Sequence, residues 1–243
     1  MSTFALTYRF SLPNGRERVF PLRLESDTAE LLPAATEKAP AWTRLEFHQC
    51  AACPLSAAQV SHCPAALHMS GLIDEFTDVV SFDQVRVTVE TEERSVSSTL
   101  SAQQAVASFM GVVMAASGCP RIAVFRPMAR FHLPFSNEHE TAYRVAAMYL
   151  LAQHFAATEG DTPDVLLRRL EEVYRGIHAV NRGMAQRLRA ATRQDAIVNA
   201  VVLLDVNTSL MPATIHEILS EMRPAFAALL EATRSKRPEK ATV

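Results

Sequence analysis

The stretch Phe4-Ala5-Leu6-Thr7-Tyr8-Arg9-Phe10-Ser11-Leu12-Pro13-Asn14-Gly15 decides how the first part of the chain folds. Apolar side chains alternate with small or polar ones at a period of two, as in a strand with one buried face, and Pro-Asn-Gly is turn chemistry. Phe20, Leu22 and Leu24 resume that period after the turn, so an antiparallel hairpin is predicted. Pro21 has no amide to give to a ladder, which puts the second strand at an edge or a bulge. Val85, Val87 and Val89 alternate with Arg86, Thr88 and Glu90 as a further half-exposed strand, and the run Leu45-Glu46-Phe47 reads as a short one.

Beyond residue 98 the period changes. From Ser101, Val106, Phe109, Met110, Val113 and Met114 form a broad apolar helix face that Gly118 should stop. Asn137 with Glu140 three residues on is a capping box, opening a helix to about Ala157 that is apolar on nearly all sides and so is expected to be central. Between them, the two prolines of Arg126-Pro-Met-Ala-Arg-Phe-His-Leu-Pro-Phe135 exclude a regular helix and predict a fixed loop. Leu166, Leu170, Val173, Ile177, Val180, Met184 and Leu188 step by threes and fours along a helix over 163–191. Two more helices, 195–210 and 214–232, are expected on either side of Pro212, with a kink at Pro224. The class is therefore α+β, an N-terminal antiparallel sheet with a Cys-rich loop packed on a C-terminal helical bundle. Its parts are a strand-rich region over 1–98, the bundle over 99–233 and a polar, disordered tail over 234–243.

Composition bounds the function. The chain has 243 residues, enough for a full core without a metal to hold it, and its net charge of −2 gives no bulk attraction to nucleic acid or acidic lipid. No unbroken apolar run reaches the roughly 18 to 20 residues of a membrane span, so a cytoplasmic protein without a membrane partner is expected. With only seven glycines and none of the usual phosphate-loop, nucleophile-elbow or zincin motifs, nucleotide hydrolysis has little raw material. Glu-x-x-His, which a di-iron bundle would repeat, does not occur.

The cysteines carry the chemistry. Three of the four fall within fourteen residues, as His48-Gln-Cys50-Ala-Ala-Cys53-Pro54-Leu55 and His62-Cys63-Pro64, and Cys119 follows the helix stop. In a reducing compartment a Cys-x-x-Cys pair favours metal binding or redox chemistry over a disulfide. Polarizable thiolates select zinc or an iron–sulfur cluster, and two cysteines separated by two residues can reach one metal from a single turn. The expected ligands are Cys50, Cys53, Cys63 and Cys119, with His48, His62 or His132 as alternatives for the fourth place. The glycine-free turn argues against a zinc ribbon, while Cys-Pro at Cys53, Cys63 and Cys119 is a habit of iron–sulfur proteins. The bland alternative is four small buried hydrophobes beside prolines.

Two cationic features compete for a role. Arg126, Arg130 and His132 precede a helix start and are candidates for anion binding, unless they pair with Glu138 or Glu140. Arg168, Arg175, Arg182 and Arg189 recur every seven residues as a basic stripe that either meets an acidic protein partner or is a solvated face. Without interleaved aromatics it does not favour nucleic acid. Gly176 and Gly183, also seven apart, would let a neighbouring helix approach closely.

Taken together, the Cys-x-x-Cys-Pro-Leu and His-Cys-Pro loop and the segment from Arg126 to Phe135 resemble a family of uncharacterised bacterial proteins. The resemblance implies a bacterial, cytoplasmic setting and no particular activity. The residues favour a metal- or cluster-binding protein of regulatory or interaction type, whose thiolates join the sheet to the bundle. The alternatives are an enzyme, using iron–sulfur redox chemistry or a hydrolase or transferase site built on Arg126, Arg130 and His132, and a metal-free helical module that binds a partner or a second copy of itself.

Overall fold

A computed structural model describes residues 2–76 and 78–234. The hairpin forms as its alternation requires: β1 (Thr3–Ser11) pairs antiparallel with β2 (Glu17–Glu25), with Tyr8 opposite Phe20 and Gly15 turning at φ 78°. β3 (Gln84–Glu90) and β4 (Ser95–Ser101) complete a four-stranded antiparallel sheet in the order β2-β1-β3-β4. Pro21 lies on edge strand β2, where its missing amide leaves no ladder carbonyl unpaired. Leu6, Tyr8, Phe10, Leu22, Leu24, Val85, Val87 and Val89 all turn to the covered face.

The helix α3 (Ala102–Ala116) covers that face, and burial of eleven of its fifteen residues makes it the central helix. It opens on a Ser101–Gln104 capping box and stops at Gly118, whose φ of 81° is a left-handed value natural to glycine. Behind it α6 (Leu170–Ala191) packs on α7 (Asp195–Met222), which packs on α3. Sheet, α3, α6 and α7 share one continuous core. The Asn137–Glu140 box opens α5 (Glu138–Thr158) as the spacing predicts, yet α5 is peripheral: it buries only Ala142, Val145, Ala146 and Tyr149 and leaves Leu151 and Phe155 exposed. Its apolar residues go all round because one side meets a second, smaller core with α7 while the other faces solvent.

Four further expectations give way to local physics. Leu45–Phe47 is a turn, flanked by an isolated bridge between Arg44 and His62. Arg126–Arg130 is a short helix, α4, because Pro127 occupies its first turn, where a proline costs no hydrogen bond. Helix α6 begins at Leu170, since Asp164 receives the Arg169 amide and holds the preceding segment as a turn. Pro212 interrupts nothing: α7 runs through it, held by burial of Met211, Ile215 and Ile218, and the break comes at Pro224, before α8 (Ala227–Ala232).

By length and composition the helical stretch Asp195–Ala232 would suffice to cross a membrane, with a window of mean hydropathy 1.5. It escapes a search for unbroken apolar runs because Asn, Ser and Thr interrupt it. Of the expected tail over 234–243, residues 235–243 lie outside the described residues.

Candidate functional site

Three segments distant in sequence bring the cysteines together. Cys50 and Cys53 bracket a tight turn closed by the Cys53 amide on the Cys50 carbonyl at 2.9 Å. Cys63 precedes the first residue of α1 (Pro64–His68), which α2 (Ser70–Glu75) follows, and its amide donates to the Thr43 carbonyl at 2.8 Å. Cys119 opens the turn after α3, where the Ile122 and Ala123 amides close on its carbonyl. Arg121 ties that turn to the Cys50–Cys53 turn by donating from Nε to the Ala52 carbonyl at 2.8 Å. All four thiols are free and partly buried.

Burial pushes the Cys50 thiol up to about 11, and the nearby sulfurs of Cys63, Cys119 and Cys53 add to the rise because each disfavours a second negative charge. Burial also raises Cys119, against the lowering effect of the Arg121 and Ile122 backbone amides at its sulfur. The sulfurs therefore feel one another. They are not preassembled as ligands, however: among the described residues no group of three or more His, Cys, Asp or Glu side chains is arranged to hold a metal.

The floor of the cluster is α6, one of whose faces presents Val180, Gly183 and Arg187. Cys50 Sγ lies 3.9 Å from the Val180 carbonyl, and a Cβ on Gly183 would stand 2.4 Å from that sulfur and 3.1 Å from the Cys50 Cα. The close approach that Gly183 permits is thus to the cysteine loop, not to another helix. One turn further on, Arg187 is 1% exposed. Its Nη1 donates to the carbonyls of Trp42 and Arg44 at 2.6 Å each, and Nη2 to Leu45 at 3.0 Å. Among the described residues no carboxylate pairs with it; burial pulls its pKa down, and only the sulfurs of Cys63, Cys50 and Cys53, when ionised, act in favour of its charge. Sequence reading missed Arg187, although its place between Met184 and Leu188 on the apolar side of α6 was a signal.

The histidines stand apart from one another. His48 is exposed, in a left-handed conformation (φ 46°), its ring against Phe47. His62 bonds the adjacent Ser61 hydroxyl at 2.9 Å. His132 Nε2 meets the buried Tyr8 hydroxyl at 2.7 Å, which also contacts Ser108 Oγ at 2.9 Å. Burial, with the Arg144 charge nearby, lowers His132 to about 3, so the ring is neutral.

The expected anion site disperses in the same way. Arg126 pairs with Glu30, and Arg130 lies over the Phe4 ring at 4.5 Å. Of the three only His132 lines a cavity of about 490 Å³ between α3, α5, α7 and the 125–136 segment, and the cation there is Arg144. On the basic stripe Arg175 pairs with Glu171, and Arg182 and Arg189 are exposed, as on a solvated face.

A family model described as a domain of unknown function, DUF6901, matches residues 6–227. The chain belongs to the DUF6901 family. The match takes in the sheet, all four cysteines and the helices through α7, so the thiol cluster and its α6 floor lie within the DUF6901 domain. No curated protein and no solved structure matches the chain.

Proposed function

We propose that this DUF6901 protein is a thiolate-based regulatory or interaction protein. In this reading Cys50, Cys53, Cys63 and Cys119 turn onto one zinc ion or iron–sulfur cluster and so lock the N-terminal loop to the helical bundle. The observation that carries it is that four free thiols from three segments lie near enough to influence one another, beside a buried guanidinium that has no carboxylate partner among the described residues. A buried cation without a counter-charge is costly, and leaving it so makes sense where negative charge is to be held. Four thiolates around a dication carry net charge −2, and Arg187 would offset half of it. That balance is the same for zinc and for a four-iron cluster, so it favours neither. A reducing compartment such as the cytoplasm would keep the thiols available.

The test is metal and acid-labile sulfide content with a visible spectrum, on protein purified without oxygen, for the wild type and a Cys50→Ala/Cys53→Ala variant. Iron with sulfide, or about one colourless zinc per chain, is expected in the wild type and lost in the variant. Metal-free protein that takes up neither zinc nor reconstituted cluster would overturn the reading.

A further inference from the structure

We propose that the cavity between α3, α5 and α7 is a second, separate site that takes a small amphipathic monocarboxylate, apolar body inward and carboxylate on Arg144. At about 490 Å³ the space lies within the range of small-ligand pockets. Val112, Phe125, Val145, Leu204 and Met211 supply an apolar lining, and among the described residues no Asp or Glu lines it. Arg144 is the one cation lining it among those residues.

The guanidinium is held but not neutralised. Its Nη2 donates to the Met128 carbonyl at 2.9 Å and the Phe131 carbonyl at 3.1 Å, which fixes its plane. Nη1 has only a long 3.5 Å contact with Ser136 Oγ, so donor capacity remains. No carboxylate forms an ion pair with Arg144 among the described residues. Glu140, one turn away on α5, is near enough for its charge to favour that of Arg144, but burial outweighs this and its carboxylate is spent on the Asn137 amide as part of the capping box. A partly buried cation on an apolar wall is an expensive arrangement that an incoming anion relieves, through charge-assisted hydrogen bonds.

The same residues limit the charge of the ligand. His132 stands beside Arg144 but is neutral and already committed to Tyr8 through Nε2. With one fixed cation and no second, the site matches a single negative charge better than a phosphate dianion. The apolar walls ask for a hydrocarbon or aromatic body, which a small polar acid lacks.

Calorimetric titration with decanoate, decan-1-ol and decyl phosphate tests this, on the wild type, Arg144→Gln and Gly111→Leu. Gly111 lines the cavity, and a Cβ there meets nothing closer than Leu204 Cδ2 at 3.7 Å, so a larger side chain fills the space without a backbone clash. Decanoate is expected to bind the wild type at least about ten-fold more tightly than decan-1-ol, the worth of one charge-assisted pair. Arg144→Gln should bring decanoate down to the alcohol, and Gly111→Leu should abolish binding of both. Equal affinity for acid and alcohol, no binding, or decanoate affinity unchanged in either variant would overturn the proposal, and tighter binding of decyl phosphate would overturn the monoanion assignment. If Arg144→Gln does not fold, the acid–alcohol contrast and Gly111→Leu still decide.

Discussion

Two glycines on one helix have opposite reasons to exist. Gly176 has nothing within 4 Å of an added Cβ, whereas at Gly183 that atom would press into both the sulfur and the backbone of Cys50. Alanine favours a helix over glycine by about 1 kcal/mol, so Gly176→Ala should stabilise the protein by about 0.5–1 kcal/mol in urea denaturation. Gly183→Ala should destabilise it by about 1–3 kcal/mol, the usual cost of overpacking against backbone, and should make Cys50 more reactive toward a thiol reagent. The seven-residue spacing of the pair was legible in the chain, but what approaches Gly183 was not, because Cys50 arrives from a distant part of the sequence. His132 supplies a second test. Its folded pKa near 3 lies below the ordinary histidine value of 6.5, so the unfolded chain takes up the proton first as pH falls. Its contribution is complete above about pH 6.5 and is lost as the pH drops toward 3, at up to about 1.4 kcal/mol per pH unit. Burial lowers His68 as well, with the same sign. Urea midpoints between pH 7.5 and 4.5 should therefore fall less steeply in His132→Gln than in the wild type, without becoming flat.

The helices and strands whose periods are strong appear where the pattern puts them: the β1–β2 hairpin, β3, α3 and the start of α5. Errors gather at prolines. Pro127 and Pro212 both suggested breaks, yet one falls in a first turn, where its missing amide costs nothing, and the other is carried by the packing of Met211, Ile215 and Ile218. A proline inside a helix still removes one hydrogen bond and crowds the preceding turn. Pro212→Ala is thus expected to raise the urea midpoint, by about 1–3 kcal/mol of stability, with no gain in helical circular dichroism, because α7 is already continuous. A rise in helical signal would mean instead that the proline breaks the helix in solution. The centrality of α5 was misjudged for a related reason. Composition shows how apolar a helix is, but not whether both its sides have partners, and here one side of α5 has none among the described residues.

The sheet and the bundle are joined twice, by a common hydrophobic core and by the Arg187 and Arg121 bonds to the loop over 42–52. The cysteine cluster sits on the second junction, which is why its ligand types were legible in the sequence and its assembly was not. Four thiols and their spacing are local facts, whereas Arg187, Gly183 and the Cys119 turn meet the loop only through the tertiary fold. The chain's one tryptophan, Trp42, gives its carbonyl to Arg187 and packs partly buried against the main core, so its fluorescence reports on this junction. Circular dichroism, dominated by α3, α5, α6 and α7, reports on the bundle. If Arg187 couples the loop to the core as its three carbonyl bonds imply, both probes should give the same urea transition in the wild type. Arg187→Met leaves the buried Leu45 carbonyl and the two less buried carbonyls of Trp42 and Arg44 without their donor and should cost about 1–3 kcal/mol, with the Trp42 transition moving to lower urea than the dichroism. Coincident transitions in the variant would show that the shared core alone binds the loop to the bundle, and that Arg187 serves the thiols above it rather than the joint.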